Sequence, residues 1–229
     1  MTADTDIRLV RLLQLASPAL PVGAYSYSQG LEAAVENKIV RDAATAARWI
    51  DDVLEYAVAR MDAPVLLRLS AAWSARDFAA IDHWNALFLA SRETTELRAE
   101  SVQMGYSLIK LLTELEEANE EARAHLARLE EIAFPTSFAY AAAQWQIPTQ
   151  PALVAYLWAW LENQVMAAIK ALPLGQTDGQ RMLLALGARL SAIAKHADSL
   201  GDDDLGSFTP GLALLSSWHE TQYSRLFRS

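Results

Sequence analysis

The 229-residue chain contains no cysteine, and that absence removes disulfides, thiolate chemistry and cysteine-ligated zinc or iron–sulfur sites together. Basic residues are also scarce: 19 Lys and Arg against 28 Asp and Glu give a formal charge of −9 and a pI near 4.9. A surface that reads nucleic acid through its phosphates needs clustered Lys and Arg, so no nucleic-acid partner is expected, and acidic substrates would be repelled. No Pro/Gly/Ser-rich linker divides the sequence. The longest uncharged apolar run, 151–161, falls well short of the roughly 20 residues a membrane helix requires, so no membrane partner is expected either. No signal-peptide core follows the acidic opening Met1-Thr-Ala-Asp-Thr-Asp6, which makes cytoplasmic residence the expectation.

What is present is a globular balance, 52% hydrophobic and 21% charged, with helical periodicity along its length. Asp6 is placed to cap a first helix carrying Leu9, Leu12, Leu13 and Ala16, which Pro18 ends. Ser28 precedes a short helix with Leu31, Ala34 and Val35 inward, and Asp42 opens one whose buried face is Ala46, Trp49, Ile50, Val53 and Leu54. Asp62 with Pro64 marks another start, since proline is tolerated in a first turn. A helix from Asp77 carries Phe78, Ile81, Trp84 and Phe88. After Ser91, the positions Leu97, Ser101, Met104, Leu108, Leu111 and Leu115 form a coiled-coil-like seam. Gly105 inside that seam costs about 1 kcal/mol relative to alanine, which points to a close crossing by another element.

Asn119 breaks or caps the chain, and Leu126, Leu129, Ile132 and Ala133 carry a helix to Pro135. A helix opened by Thr149-Gln-Pro151 is apolar on every side to Leu161, which assigns it to the centre. Thr177 with Gln180 makes a capping-box pattern for a helix of Leu183, Leu186, Leu190 and Ile193. The stretch 199–211 reads as a mobile acidic loop before a short helix around 212–218. The expected fold is therefore all-α: one domain over 1–229, a bundle of about ten helices, with 219–229 as a C-terminal tail.

Recognisable catalytic constellations are missing. Neither Gly23 to Gly30 nor Gly175 to Gly179 has the lysine of a phosphate loop, His219-Glu220 lacks the second histidine of a zincin motif, and the four histidines are scattered. No catalytic residue, metal ligand or cofactor is therefore assigned. The sharpest enzymatic alternative is a Mg²⁺-dependent all-α prenyl-diphosphate enzyme using Asp51, Asp52 and Glu55 on one helix, but a second acidic helix and a phosphate cradle are lacking. Binding surfaces remain. Residues 16–32 pack two prolines, two glycines and two tyrosines into an ordered bend: Pro18 and Pro21 force extended or turning backbone, and Gly23 marks positive φ or a close approach. In the tail, Tyr223, Leu226 and Phe227 stand at i, i+3 and i+4 beside Arg225 and Arg228. Those are residue types that dominate interfaces, which favours docking to a partner over packing of the segment on its own bundle. Arg92 and Glu96 are spaced as an i, i+4 pair, and the polar residues of the stretch Arg92 to Glu100 could instead hold the bend at Tyr25, Ser26 and Tyr27 in place.

Four stretches, Leu12 to Glu32, Ser91 to Gly105, Leu172 to Arg181 and His219 to Ser229, resemble in order the motifs of the UreF family of urease accessory proteins. Ala24 departs from that pattern, where a second glycine is common, so position 24 does not need positive φ. The resemblance implies a cytoplasmic, non-enzymatic, dimeric maturation factor. It would assemble with UreD (also called UreH) and the GTPase UreG on apo-urease, coupling GTP hydrolysis to nickel insertion. It further implies UreD contact through Tyr223, Ser224, Arg225, Leu226, Phe227 and Arg228. Surfaces shared with UreG or the dimer mate are expected at Tyr25, Ser26, Tyr27, Gln29, Gly30 and Glu32 and at Gly175, Gln176 and Asp178. Pro18, Pro21, Gly23, Arg92, Glu93, Arg98 and Gly105 are expected to be structural.

Overall fold

Local hydrogen bonds start many of the helices where the sequence places a cap. The computed structural model describes residues 3–117 and 119–229; the first two residues of the acidic opening lie outside them. Among the described residues the regular structure is entirely helical, with twelve α-helices, two 3₁₀ turns and one π-helical stretch. Helix α1 (Ala3–Ala16) begins ahead of Asp6, so Asp6 lies inside the helix and does not cap it. Its last turns turn Leu12, Leu15 and Ala16 inward, whereas Leu9 and Leu13 stay 47% and 62% exposed. Helix α2 (Leu31–Glu36) follows Ser28, whose Oγ accepts the Glu32 N–H at 3.3 Å. Asp42 caps α3 (Ala43–Val53) through the Thr45 N–H at 2.8 Å, and the Thr45 hydroxyl accepts from the Asp42 N–H in return.

Helix α3 does not stop before Pro64. It continues through a π-helical stretch, Leu54–Asp62, into α4 (Ala63–Ala75), with Asp62 in right-handed helical backbone and capping nothing. The expected helix start at Asp62 is thus a helix interior. Proline is tolerated there because the wider turn has already displaced the ladder: the Ala63 N–H reaches Val58, five residues back. The Arg60 carbonyl, whose i+4 donor would be Pro64, accepts instead from Gly206, and Tyr56 accepts from Phe208. Those bonds, with Arg68 on Asp202 at 2.6 Å and on the Leu200 carbonyl at 2.7 Å, anchor the acidic loop that composition alone presents as mobile.

Asp77 caps α5 (Phe78–Ala90) and Thr94 caps α6 (Thr95–Glu114). The α6 seam buries Leu97, Ser101, Met104, Leu108 and Leu112, while Leu115 at the C-cap is 47% exposed. Asn119 caps α7 (Glu120–Leu126), but that helix stops at Leu126. Leu129, Ile132 and Ala133 belong to a loop that crosses α6 at Gly105. Pro135, expected as a terminator, lies in the first turn of α8 (Phe134–Gln144), a helix the periodicity does not announce. Helix α8 lies between α4 and α6 and is almost wholly buried, and Trp73 of α4 donates its indole N–H to the Thr136 carbonyl at 3.1 Å.

Helix α9 (Thr149–Ala171) runs 23 residues through the middle, with Leu153, Leu157, Leu161, Val165 and Ala168 at 0% exposure. In length and hydropathy it could cross a bilayer. More than half of its apolar window is instead buried against its neighbours, α1 to α4 and α8 among them. The helix expected after residue 177 is two, α10 (Gln176–Gly187) and α11 (Leu190–Ser199). The start of α10 is set by Asp178 accepting from the Gly175 N–H at 3.4 Å, two residues ahead of the expected Thr177–Gln180 pairing. Helix α12 (Pro210–His219) packs on α2 and α6. One cluster of buried side chains, from Leu15 to Phe227, joins these elements.

Candidate partner-docking surface

The bend and the tail, 200 residues apart in sequence, form one seam. Gly23 has φ +82° with open space where a Cβ would stand, so positive φ and not close approach selects glycine there. Ala24 opens the 3₁₀ turn Ala24–Ser26, as a residue without need of positive φ can. Val22 and Tyr27 are buried, and Tyr25 keeps 38% exposure. Gln29 adopts φ +51°, and its amide is held at both ends: Nε2 donates to Glu100 at 2.7 Å and Oε1 accepts from the Trp160 indole at 2.8 Å. Gly30 has φ +76° and lies so close to α12 that a Cβ would stand 3.3 Å from Leu212 and 3.4 Å from the Ser216 nitrogen. Asn163 of α9 donates to the Tyr27 carbonyl at 3.1 Å.

The tail lies on its own bundle along this bend. The Arg228 N–H donates to the Ser26 carbonyl at 2.7 Å, the Ser28 N–H donates to the main-chain oxygen of Ser229 at 2.8 Å, and the Ser229 hydroxyl donates to Glu100 at 3.0 Å. Glu32 accepts the Leu226 and Phe227 N–H groups at 2.6 and 2.9 Å. Residues beyond His219 are not helical, so the i, i+3, i+4 spacing does not make one face. Phe227 turns inward at 6% exposure, with Lys170 over its ring and that of Tyr25, whereas Tyr223 is fully exposed and Leu226 is 62% exposed. Trp218 and Leu214 of α12 add to this outward apolar set. With His219 and Phe227 both buried, removal of 219–229 would cost stability.

The other singled-out residues separate into distinct neighbourhoods. Arg92 does not pair with Glu96 and does not hydrogen-bond the bend; it meets Asp62 at 3.4 Å and lies over the Phe88 ring. Glu96 instead meets His219 at 2.7 Å and Arg225 at 2.7 Å. Arg98 donates to the Leu89 carbonyl at 2.9 Å and pairs with Glu131, and Glu93 accepts from the Ser207 hydroxyl at 2.8 Å. Gly105 admits the Ile132 carbonyl, which would stand 2.1 Å from an added Cβ. Among the described residues no hydrogen bond joins Gly175, Gln176 or Asp178 to the bend or tail, and Asp178 pairs with Arg181 at 3.0 Å.

Below the bend lies a cavity of about 90 Å³, apolar along Leu15, Val22 and Met104 but carrying Asp62, Arg92, Glu100 and Tyr156. Burial raises Asp62, opposed by Arg92, and burial followed by the Asp62 charge raises Tyr156 well above its ordinary value. Burial pushes Glu100 up to about 7 against the hydrogen bonds from Gln29 and Ser229. The Asp51, Asp52, Glu55 triplet is a salt-bridged face: Arg189 pairs with Asp51 and, at 2.7 Å, with Glu55, so a magnesium ion would have to displace a guanidinium. Among the described residues no group of three or more His, Asp or Glu side chains is placed to hold a metal ion.

The model of the UreF family matches residues 40–187. The chain belongs to the UreF family. Relatives similar to it over nearly its whole length include the urease accessory protein UreF of Azoarcus sp. (strain BH72), 59% identical over 223 residues, 96% of this chain and 95% of that protein. The UreF proteins of Dechloromonas aromatica (strain RCB) and Janthinobacterium sp. (strain Marseille) are 53% and 52% identical, covering 98% and 96% of this chain and 99% and 98% of their own lengths. The bend at 16–32 and the tail lie outside the segment that the family model matches. Sequence reasoning reached both through their prolines and aromatics and placed Glu96 and Glu100 in a polar stretch able to hold the bend, but it paired Glu96 with Arg92 and gave His219 no partner. No local spacing signals a buried carboxylate whose partners come from distant elements.

Proposed function

We propose that this chain is a urease maturation factor without catalysis of its own, a cytoplasmic dimeric scaffold. It assembles with UreD (UreH) and the GTPase UreG on apo-urease and couples GTP hydrolysis to nickel insertion. Membership of the urease accessory family over nearly the full chain carries this reading. The anchored tail supports it. Phe227 and Ser229 are buried and fix the backbone, while Tyr223, Leu226 and Trp218 are presented to solvent, the aromatic and aliphatic groups a partner desolvates. The reading assigns UreD contact to Tyr223, Ser224, Arg225, Leu226 and Arg228, with Phe227 as the inward anchor. In the bend, Tyr25 offers the exposed contact to UreG or the dimer mate, and Gly175, Gln176 and Asp178 form a separate patch. The single domain 1–229 with its 219–229 docking tail is part of the same proposal.

The test is urease activation in cells lacking the endogenous factor, with and without this chain, alongside co-purification with UreD and UreG. Restoration of activity and a stoichiometric complex are expected. Equal urease maturation without the chain, or substrate turnover by the purified chain, would refute the scaffold. The diphosphate-enzyme alternative predicts Mg²⁺-dependent loss of an allylic substrate, abolished by Asp51→Asn with Asp52→Asn; the Arg189 fork argues against it.

A further inference from the structure

Negative charge dominates the cavity beneath the bend. Three carboxylates, Asp62, Glu100 and Glu162, line it against a single guanidinium, Arg92, among the described residues. Arg92 is already committed to Asp62, to the Ser91 hydroxyl at 3.1 Å and to the face of Phe88. Lys170 lies over the Tyr25 and Phe227 rings and is not among the lining residues. Burial raises all three carboxylates above their ordinary range, and the chain supplies too little positive charge to offset it. Glu162, on α9, accepts no hydrogen bond and forms no ion pair among the described residues. Asp62 is held loosely, by Tyr156 at 3.3 Å and Arg92 at 3.4 Å, both longer than charge-assisted hydrogen bonds ordinarily are. Both carboxylates therefore keep lone pairs for a further donor.

The rest of the lining selects what that donor must carry. Leu15, Leu20, Val22 and Met104 offer water no hydrogen-bond partner, so water alone fills the space poorly. Tyr25, Phe134 and Trp160 add aromatic groups, which attract cations and not anions. A metal ion is disfavoured. Among the described residues no three His, Asp or Glu side chains converge to hold one, and both Glu100 oxygens already accept, from Gln29 and Ser229. At about 10–15 Å³ for one water-sized sphere, the 90 Å³ takes about six to nine non-hydrogen atoms. Half-buried Glu162 and the Tyr25 ring, 38% exposed, mark its mouth.

We propose that this cavity is a binding site for a small organic cation, a primary ammonium on an apolar body: Glu162 and Asp62 take the charge, and Leu15, Leu20, Val22 and Met104 take the body. Such an occupant braces the bend from beneath. The inference does not rest on what docks against the bend from outside.

The experiment titrates the isolated full-length chain, labelled with [methyl-¹³C]methionine, with hexylammonium chloride at neutral pH. Met104, assigned with Met104→Leu, lines the cavity, whereas Met182 of α10 does not. The expected result is a saturable, one-to-one shift of the Met104 resonance with Met182 unchanged. Hexanoate and 1-hexanol, of similar size, are expected to bind at least about tenfold more weakly, the worth of one hydrogen bond to a charged group. A similar loss is expected in Glu162→Gln, which breaks no bond within the chain, and Ala159→Leu should abolish binding by filling the cavity. No saturable shift, equal binding of the three ligands, or binding indifferent to Glu162→Gln would overturn the proposal. Displacement of hexylammonium by equimolar Ni²⁺ or Mg²⁺ would overturn it in favour of a metal site. Should Ala159→Leu unfold, Glu162→Gln and the comparison of ligands decide.

Discussion

Replacing Gly105 by alanine sets a local preference against a tertiary contact, and the structure says which prevails. In an isolated helix the added methyl stabilises by about 1 kcal/mol. Here the new Cβ would stand 2.1 Å from the Ile132 carbonyl oxygen and 3.0 Å from the carbonyl carbons of Ile132 and Ala133. The obstacle is backbone, and that backbone is pinned. Asn85 donates to the Glu131 carbonyl and accepts from the Ala133 N–H, both at 2.9 Å, Phe134 donates to Ser101 at 3.0 Å, and Arg98 pairs with Glu131. Retreat of the loop by more than an ångström would break one or two of these bonds, at about 1 kcal/mol each. Overpacking adds about 1–3 kcal/mol. With the helix gain subtracted, the net expectation is a loss of about 1–4 kcal/mol, or about 2–16 °C in Tm for a chain this size. Urea denaturation followed by far-UV circular dichroism measures it. Gly179→Ala is the control: its Cβ would meet Ile169 Cδ1 at 2.4 Å, the tip of a flexible side chain, so it is expected to stay within about 1 kcal/mol of wild type. An unchanged or raised stability for Gly105→Ala, or equal losses in both variants, would refute the reasoning.

Glu100 has a folded pKa of about 7 against an ordinary value of 4.5, raised by burial, so the native state holds a proton that the unfolded chain releases. Its contribution is fully present below pH 4.5 and is lost as pH rises through about 7. Glu100→Gln should therefore raise stability at pH 8 by at most about 3 kcal/mol, leave little gain at pH 4.5, and flatten the profile between, as read by urea titrations at the two pH values. Arg92→Ala strands the buried Asp62 carboxylate and should cost about 3 kcal/mol, part of which Asp62→Asn restores in the double variant, measured by the same titrations. Leu157→Ala, at 0% exposure in the middle of α9, should cost about 2–5 kcal/mol in a thermal or urea melt. Tyr223→Ala with Leu226→Ala should leave the melting temperature within about 2 °C of wild type, since both side chains are exposed, yet weaken co-purification with UreD.

Several features were legible in the residues alone because their causes are local. Asp42, Asp77 and Asn119 cap helices through N–H groups three residues ahead, a reach that a four-residue window contains. Gly23 declared a positive φ, Gly105 declared a crossing, and the helix that is apolar on all sides took the centre. The two prolines show where such reading stops. Pro64 looked like a helix start and lies in a continuous helix; Pro135 looked like a stop and begins one. Proline's lost N–H is harmless wherever that donor is not needed. Whether it is needed depends on the π-helical register and on Gly206 of a remote loop, neither of which is written near residue 64.

By itself, then, the chain's order of side chains determined an all-α class, the ends of many helices, the bend and the family motifs, because capping, periodicity and fixed φ act over a few bonds. Tertiary structure alone decided the choice of ionic partners. Arg92 and Glu96 sit four apart on a spacing that suits a pair, yet one turns to Asp62 and the other to His219, 123 residues away. A carboxylate deprived of water takes the cation that packing brings to it, and packing is settled by which helices bury their faces together. For the same reason only the fold could divide the tail into a buried Phe227 and an open Tyr223.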